Sequence, residues 1–309
     1  MSENGTNSLS HGPRMSNPRI PFELSDAESP LPLLNGCSLL VHVALNVEHW
    51  PFDRPMPRTI LPPPHGKGTG PDVPNFSWVE YGLRSGMPRI LAMMRERGLK
   101  GGALLNASIV ETYPQLAEAL LTDGWEFVGH GYTQRALSFE GDEEAVIAQS
   151  LGILRDFSGQ PVRAWLGPGL AETEQTPELL KRNGVDCVHD WVLDDIPQWM
   201  RTDEGPLIAL PYSLELNDVP IYAIGNEASS TILERVDDTL AQFDNEDTGN
   251  PKVLTLALHP HLIGVPHRAL HFGRVLDRLM EREDTVFVTS SQMADWYVAA
   301  RPYEGSPKA

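Results

Sequence analysis

The sequence holds only two cysteines, Cys37 and Cys187, in 309 residues. That is too few, and they lie too far apart, for a disulfide framework or a Cys-rich zinc module. Positive charge is scarce as well: 24 Lys and Arg face 42 Asp and Glu, a formal net charge of −18. A nucleic-acid backbone and an anionic lipid surface both demand clustered cations, so neither is an expected partner. No apolar run approaches the ~20 residues of a membrane span. The opening residues lack the apolar core of a secretory signal, and the expected location is the cytoplasm. Apolar residues nevertheless make up 41% of the chain, enough for a real core. The expected partner is a small-molecule substrate, with a homo-oligomer left open.

Residues 1–36 are rich in Ser, Asn and Pro without periodicity, and are expected to form a flexible or surface-draped arm, with a similar tail over 302–309. Between them, short apolar runs alternate with helical patterns. Strands are expected at 38–45, 102–106, 126–129, 162–166, 185–191, 207–211, 253–258 and 285–289, none of which alternates cleanly. Such continuous runs suit parallel strands covered on both faces. Helices are expected at 79–97, 114–122, 142–157, 176–183, 230–244, 267–283 and 291–300. Gly98, Gly124 and Gly184 stand where three of them should stop, and Asp142, Glu143 and Glu144 suit a helix start. Seven or eight strand–helix units in one domain, 37–301, predict an α/β fold of the distorted (β/α) barrel kind. Two segments break the rhythm: the Pro-rich 51–77, expected to cover the barrel mouth, and the acid-, Pro- and Trp-rich 193–207.

Barrels of this type carry their chemistry at the C-terminal ends of the strands. Those ends supply Asn46 and Glu48 in ALNVEHW, His130 in GHGYTQ, Trp165 in WLGPG and Trp191, Asp194 and Asp195 in DWVLDDIPQW. They continue with Tyr212, Asn217 and Asp218 in PYSLELND and His259 in LHPHLIG. Glu48 ends a buried strand, where an unpaired carboxylate would be costly, so a cation, a metal or a reaction is expected beside it. His130 lies between glycines, and His259 closes an apolar strand ahead of Pro260. His261, His267 and His271 lie beyond the strand and are expected at the surface. Glu48, His130, His259, Asp194 and Asp195 are the candidate catalytic groups. Asn46, Tyr132, Trp165, Trp191, Tyr212, Asn217 and Asp218 are the candidate substrate contacts.

The order of ALNVEHW, GHGYT, WLGP, DWVLDDIP, PYSLELND and ALHPHLIGVPHR resembles the polysaccharide-deacetylase (NodB-homology) superfamily, nearest its allantoinase and cyclic imide hydrolase branch. The resemblance implies a distorted barrel and hydrolysis of a carbon–nitrogen bond other than a peptide bond. It also implies that His259 is the acid toward the leaving group. In the metal-dependent deacetylases the first motif holds two aspartates, which match Asn46 and Glu48 here. The second holds two histidines four residues apart, which match His130 and Gln134. Two arrangements follow. Either Glu48 and His130, helped by His259, hold one divalent ion, zinc by preference, that activates water. Or no metal is required, and Glu48 or a nearby aspartate is the base while His259 protonates the departing nitrogen. A small cyclic amide, imide or ureide is the expected substrate. An N-deacetylase acting on an acetamido sugar and a catalytically silent ligand-binding barrel are the alternatives.

Overall fold

β1 (Leu39–Val47) is the longest strand, and every residue in it is buried. A computed structural model of the chain describes residues 15–25, 30–66, 71–246 and 249–304. The end of the Gly-rich run, 67–70, the start of the arm and the end of the tail lie outside them. After β1 come α1 (Val73–Tyr81), a π-helical segment (Gly82–Gly86) and α2 (Met87–Glu96). Next are β2 (Gly102–Leu105), α3 (Ser108–Thr112), α4 (Pro114–Thr122), β3 (Glu126–Gly129), α5 (Glu143–Ser158) and β4 (Ala164–Trp165). Then follow α6 (Thr176–Arg182), β5 (Cys187–Val188), β6 (Gln198–Met200), β7 (Leu207–Ala209) and α7 (Thr231–Asn245). β8 (Lys252–Leu258), α8 (Pro260–Ile263), α9 (Pro266–Met280), β9 (Thr285–Phe287) and α10 (Ser290–Ala300) complete the chain.

The strands form one curled sheet in the order β6-β7-β5-β4-β3-β2-β1-β8, with β9 also paired to β1. All pairings are parallel except β6 with β7. The result is a distorted, incompletely closed (β/α) barrel in a single domain. β6 is a strand that the sequence reading did not anticipate. The sheet ends on β6 and β8, which do not pair, so the cylinder stays open there, and irregular chain covers the outer edge of β8. There Val253 N donates to Asp195 O and Ala257 N donates to Leu216 O.

Two cores follow from the period-two geometry of strands. Leu39, Val41, Val43, Leu45 and Val47 of β1 face the helix layer, among Met87, Ile90, Phe272 and Leu276. Leu40 and Ala44 face the barrel interior with Leu104, Val128, Ala164 and Leu166. α10 closes the bottom of that interior with Met293 and Tyr297. The same parity carries past each strand's end. Glu48 continues the interior row of Leu40 and Ala44, His130 that of Val128, and His259 that of Val253 and Ala257.

Local chemistry fixes the helices that support this rim. Asp142 accepts from Ala145 N at the start of α5, and Gly159 ends that helix with φ +65°, which glycine adopts without strain. Thr289 and Gln292 form a capping box on α10. α8, immediately after His259, presses on the π-helical segment: a Cβ on Gly82 would collide with the backbone of His261. In the described arm, Ile20 is buried in the helix-layer core and Arg19 forks onto Glu178 at 2.7 Å.

Candidate active site

Glu48 leaves β1 at the C-terminal rim with its carboxylate buried. One oxygen, Oε2, accepts from Trp50 Nε1 at 2.7 Å. The other, Oε1, lies 3.4 Å from His259 Nε2 and 3.9 Å from His130 Nε2. Burial works to raise the Glu48 pKa, but the contacts with His130 and His259 prevail and hold it well below the usual carboxylate value.

His259 faces Glu48 because Asp218 holds it from behind. Asp218 Oδ1 lies 2.7 Å from His259 Nδ1, while Oδ2 accepts from His259 N at 2.8 Å and from Ile263 N at 3.2 Å. One carboxylate thus fixes the imidazole and caps the first turn of α8. Burial lowers the His259 pKa, but Asp218 and then Glu48 outweigh it and raise the value to about 9. His259 is therefore an imidazolium near neutrality.

His130 is oriented by the end of β4. Its Nδ1 lies 2.7 Å from Leu166 O, and a carbonyl can only accept, so Nδ1 bears the proton. Nε2 is buried and without a hydrogen-bond partner among the described residues, on the side that faces Glu48. Asn106, at the end of β2, steadies both neighbouring loops: it accepts from His49 N at 2.8 Å and donates to His130 O.

His261 departs from expectation. It is buried, with its ring edge-on to Trp50 and Trp78 and 5.7 Å from the His259 ring. Burial first, and then the charge on His259, lower its pKa to about 3, so it is neutral beside the charged pair. The apolar strand ends at Leu258, but α8 keeps the chain buried, so this position lies inside and not at the surface.

Glu48 and Trp50 open onto a pocket of about 610 Å³. Its walls come from 51–58, from 133–139 after β3, and from Pro168 and Gly169 after β4. The described front of the 51–77 segment thus borders the mouth.

Other expected contacts are placed elsewhere. Trp165 has the opposite parity to Ala164 and Leu166, so it points into the helix layer against Leu151 and Gly129. Tyr132 packs against the helix-layer core and donates to Glu111 at 2.7 Å, and Trp191 donates to Glu172 at 2.8 Å. Asn46 spends its amide hydrogens on Tyr212 Oη at 3.0 Å and Leu258 O at 3.1 Å, beneath the rim. Asn217 accepts from Val219 N at 2.9 Å, stabilising the turn that presents Asp218.

Asp194 and Asp195 are not brought to the cluster. Asp194 contacts Ser25 and Gln198, and Asp195 lies 3.4 Å from Lys252 Nζ. Lys252 begins the strand that His259 ends, a separation of about 20 Å at ~3.3 Å per residue. Both aspartates line a different cavity, of about 540 Å³, with Leu214 and Glu215. An acidic loop after β5 resembles a catalytic loop in sequence, but here the chain runs down the open seam of the barrel.

The residues present make a poor metal cage. Gln134, which the sequence resemblance sets against the second histidine of metal-dependent deacetylases, accepts from Asn106 at 3.3 Å. Glu48 Oε2 is taken by Trp50 and His259 Nδ1 by Asp218. Among the described residues no group of three or more His, Cys, Asp or Glu side chains is arranged to hold a metal ion. Nor is any described helix long and apolar enough to cross a membrane.

Comparison with known proteins agrees with the sequence resemblance. Residues 74–188 match the family described as polysaccharide deacetylase. A putative polysaccharide deacetylase of Schizosaccharomyces pombe is 26% identical over 252 residues, spanning 74% of this chain and 77% of that protein. Among solved structures, a probable polysaccharide deacetylase from Pseudomonas aeruginosa superimposes with a TM-score of 0.79 at 21% identity, covering 90% of this chain and 97% of that one. The Puue allantoinase does so with 0.78 at 22% identity, covering 90% and 96%. These likenesses carry the fold.

Proposed function

With a polysaccharide-deacetylase domain as the premise, we propose that this chain is a hydrolase of non-peptide amide bonds of the deacetylase or amidohydrolase type, acting through Glu48, His130 and His259. The observation that carries the proposal is the buried row Asp218–His259–Glu48–His130, with a protonated imidazole at one end and an unpartnered imidazole nitrogen at the other. Two imidazoles that share one carboxylate, one held protonated by Asp218 and the other free at Nε2, supply the acid and the base that amide cleavage requires.

In the proposed reaction a water lies against Glu48 Oε1 and His130 Nε2. His130 takes its proton as the oxygen bonds to the amide carbonyl carbon. Glu48, held too acidic to be an efficient base, orients the water and stabilises the new imidazolium. His259 Nε2–H then protonates the amide nitrogen, the C–N bond breaks, and the products are a carboxylic acid and an amine. Asp218 keeps the His259 ring in place and favours its protonated form. No step passes through a metal.

Two substrate classes fit this chemistry. The deacetylase names of the matching family and of the yeast relative favour an acetamido group. The pocket of about 610 Å³, and the fold shared with an allantoinase, keep a small cyclic amide, imide or ureide as the second reading. Acetate release from acetylated amino sugars, measured beside ring opening of cyclic amides, separates them. Turnover of either class that persists undiminished in Glu48→Gln would refute the site itself.

A further inference from the structure

The pocket in front of Glu48 is positively charged in a chain whose net charge is −18. Of its ionisable lining groups, three are arginines, Arg54, Arg58 and Arg135, and only Glu48 is acidic. Glu48 is already balanced by His259, and Arg135 is engaged by Glu140 at 3.6 Å and by Phe139 O at 2.6 Å. The side chains of Arg54 and Arg58 have no hydrogen-bond or ion-pair partner among the described residues, although acids outnumber bases across the chain.

Their setting is stiff. The segment reads Arg54-Pro55-Met56-Pro57-Arg58. Each proline fixes its own φ and restricts the residue before it. Met56, at the centre, is buried with Trp50 and Val79. A cation on a restrained, anchored segment loses little freedom when it binds an anion. Arg58 is half-buried and lines the pocket beside Met56.

Resting on the amide-hydrolase reading above, we infer that Arg54 and Arg58 form an anion-recognition wall, so that the substrate carries an acidic group, a carboxylate in its simplest form, remote from the scissile bond. Guanidinium forks match a carboxylate in two-point hydrogen bonds. With the unpaired guanidinium groups on the 54–58 segment and the Glu48–His259 pair at the other end, the substrate's acid lies against the arginines and its amide against Glu48.

Matched probes test this. An N-acetyl amino acid is compared with its carboxamide, and a carboxylate-bearing cyclic imide with its carboxamide. The expected result is a kcat/KM at least about 10-fold higher for the acidic member, a preference that Arg54→Gln/Arg58→Gln removes and that high salt weakens. A ratio unchanged by the double substitution overturns the inference. Failure of the wild type to turn over any probe would count against the proposed reaction; the wall is then judged by binding alone. Tryptophan fluorescence, to which Trp50 contributes, is titrated with N-acetylglycine. A saturable change whose midpoint weakens about 10-fold or more in the double variant sustains the wall. Equal midpoints, or no change in the wild type, end it. Each single variant serves if the double variant fails to fold by circular dichroism.

Discussion

Two acid-bearing segments follow strands of this sheet and meet opposite fates. After β1, Glu48 is buried, and each of its oxygens faces a nitrogen: Trp50 on one side, His130 and His259 on the other. After β5, Asp194 and Asp195 reach Ser25, Gln198 and Lys252 at the rim of a second cavity, one strand length away. In sequence both read as carboxylates at a strand end. What separates them is desolvation: a buried charge must be answered by specific partners, whereas a partly exposed one is answered by water.

Substitutions can break or sharpen that contrast. Glu48→Gln and His259→Ala should each lower kcat/KM by about 10³-fold, within the range of general acid–base catalysis, as measured on whichever amide is turned over. His130→Ala should cost about 10²-fold or more with little change in KM. Retention of full activity in any of the three would dissolve the contrast.

Asp218→Asn should act through pH. In the wild type, activity should fall as the pH rises through about 9, where His259 loses its proton. Without the Asp218 charge that limb should move down toward the ordinary histidine range, about 6.5. Stability should respond in the same sense. The His259 pKa is raised by folding, so its contribution is complete below about 6.5 and is lost as the pH climbs through about 9. Chemical denaturation across that window should show a decline that Asp218→Asn flattens, together with a loss of about 2 kcal/mol at pH 6 from the hydrogen bonds to a charged group.

Trp165→Ala should destabilise by about 3–5 kcal/mol, as large-to-small core changes do, while leaving KM unaltered in the folded fraction. At the small end, Asp194→Asn and Asp195→Asn should alter kcat/KM less than about 2-fold and stability by about 0.5 kcal/mol. Dialysis against a chelator should likewise leave activity intact; its loss, with recovery on adding zinc, would show that Glu48 and His130 recruit an ion after all.

Much of the frame was legible because strand and helix signals are local. α4 and β3 fall where Pro114, Gly124 and the apolar run Phe127–Val128 put them, and Asp142 is the cap its charge suggested. β6 was missed because Gln198–Met200 owes its state to pairing with β7, not to a run of its own. The continuous helix from α1 through α2 begins earlier than expected, since Asp72, which accepts from Asn75 N, starts it inside the Pro-rich segment. Within the site, parity was available but unused. Counting in twos from Val128, Ala164 and Val253 selects His130 and His259 and rejects Trp165. Trp50 could have been found as a neighbour two residues from Glu48. The partnership of Asp218 with His259 could not, because it joins segments 41 residues apart through a folded turn.

The coil laid along β8 has a bearing on how the molecule behaves in a crowded solution. An unclosed cylinder presents a lateral row of amide and carbonyl groups that another copy's extended segment could zip onto. Here the stretches around Asp195 and Leu216 occupy that row without belonging to the sheet. They act as a built-in guard against intermolecular ribbon growth, which allows the barrel to remain unsealed on one flank.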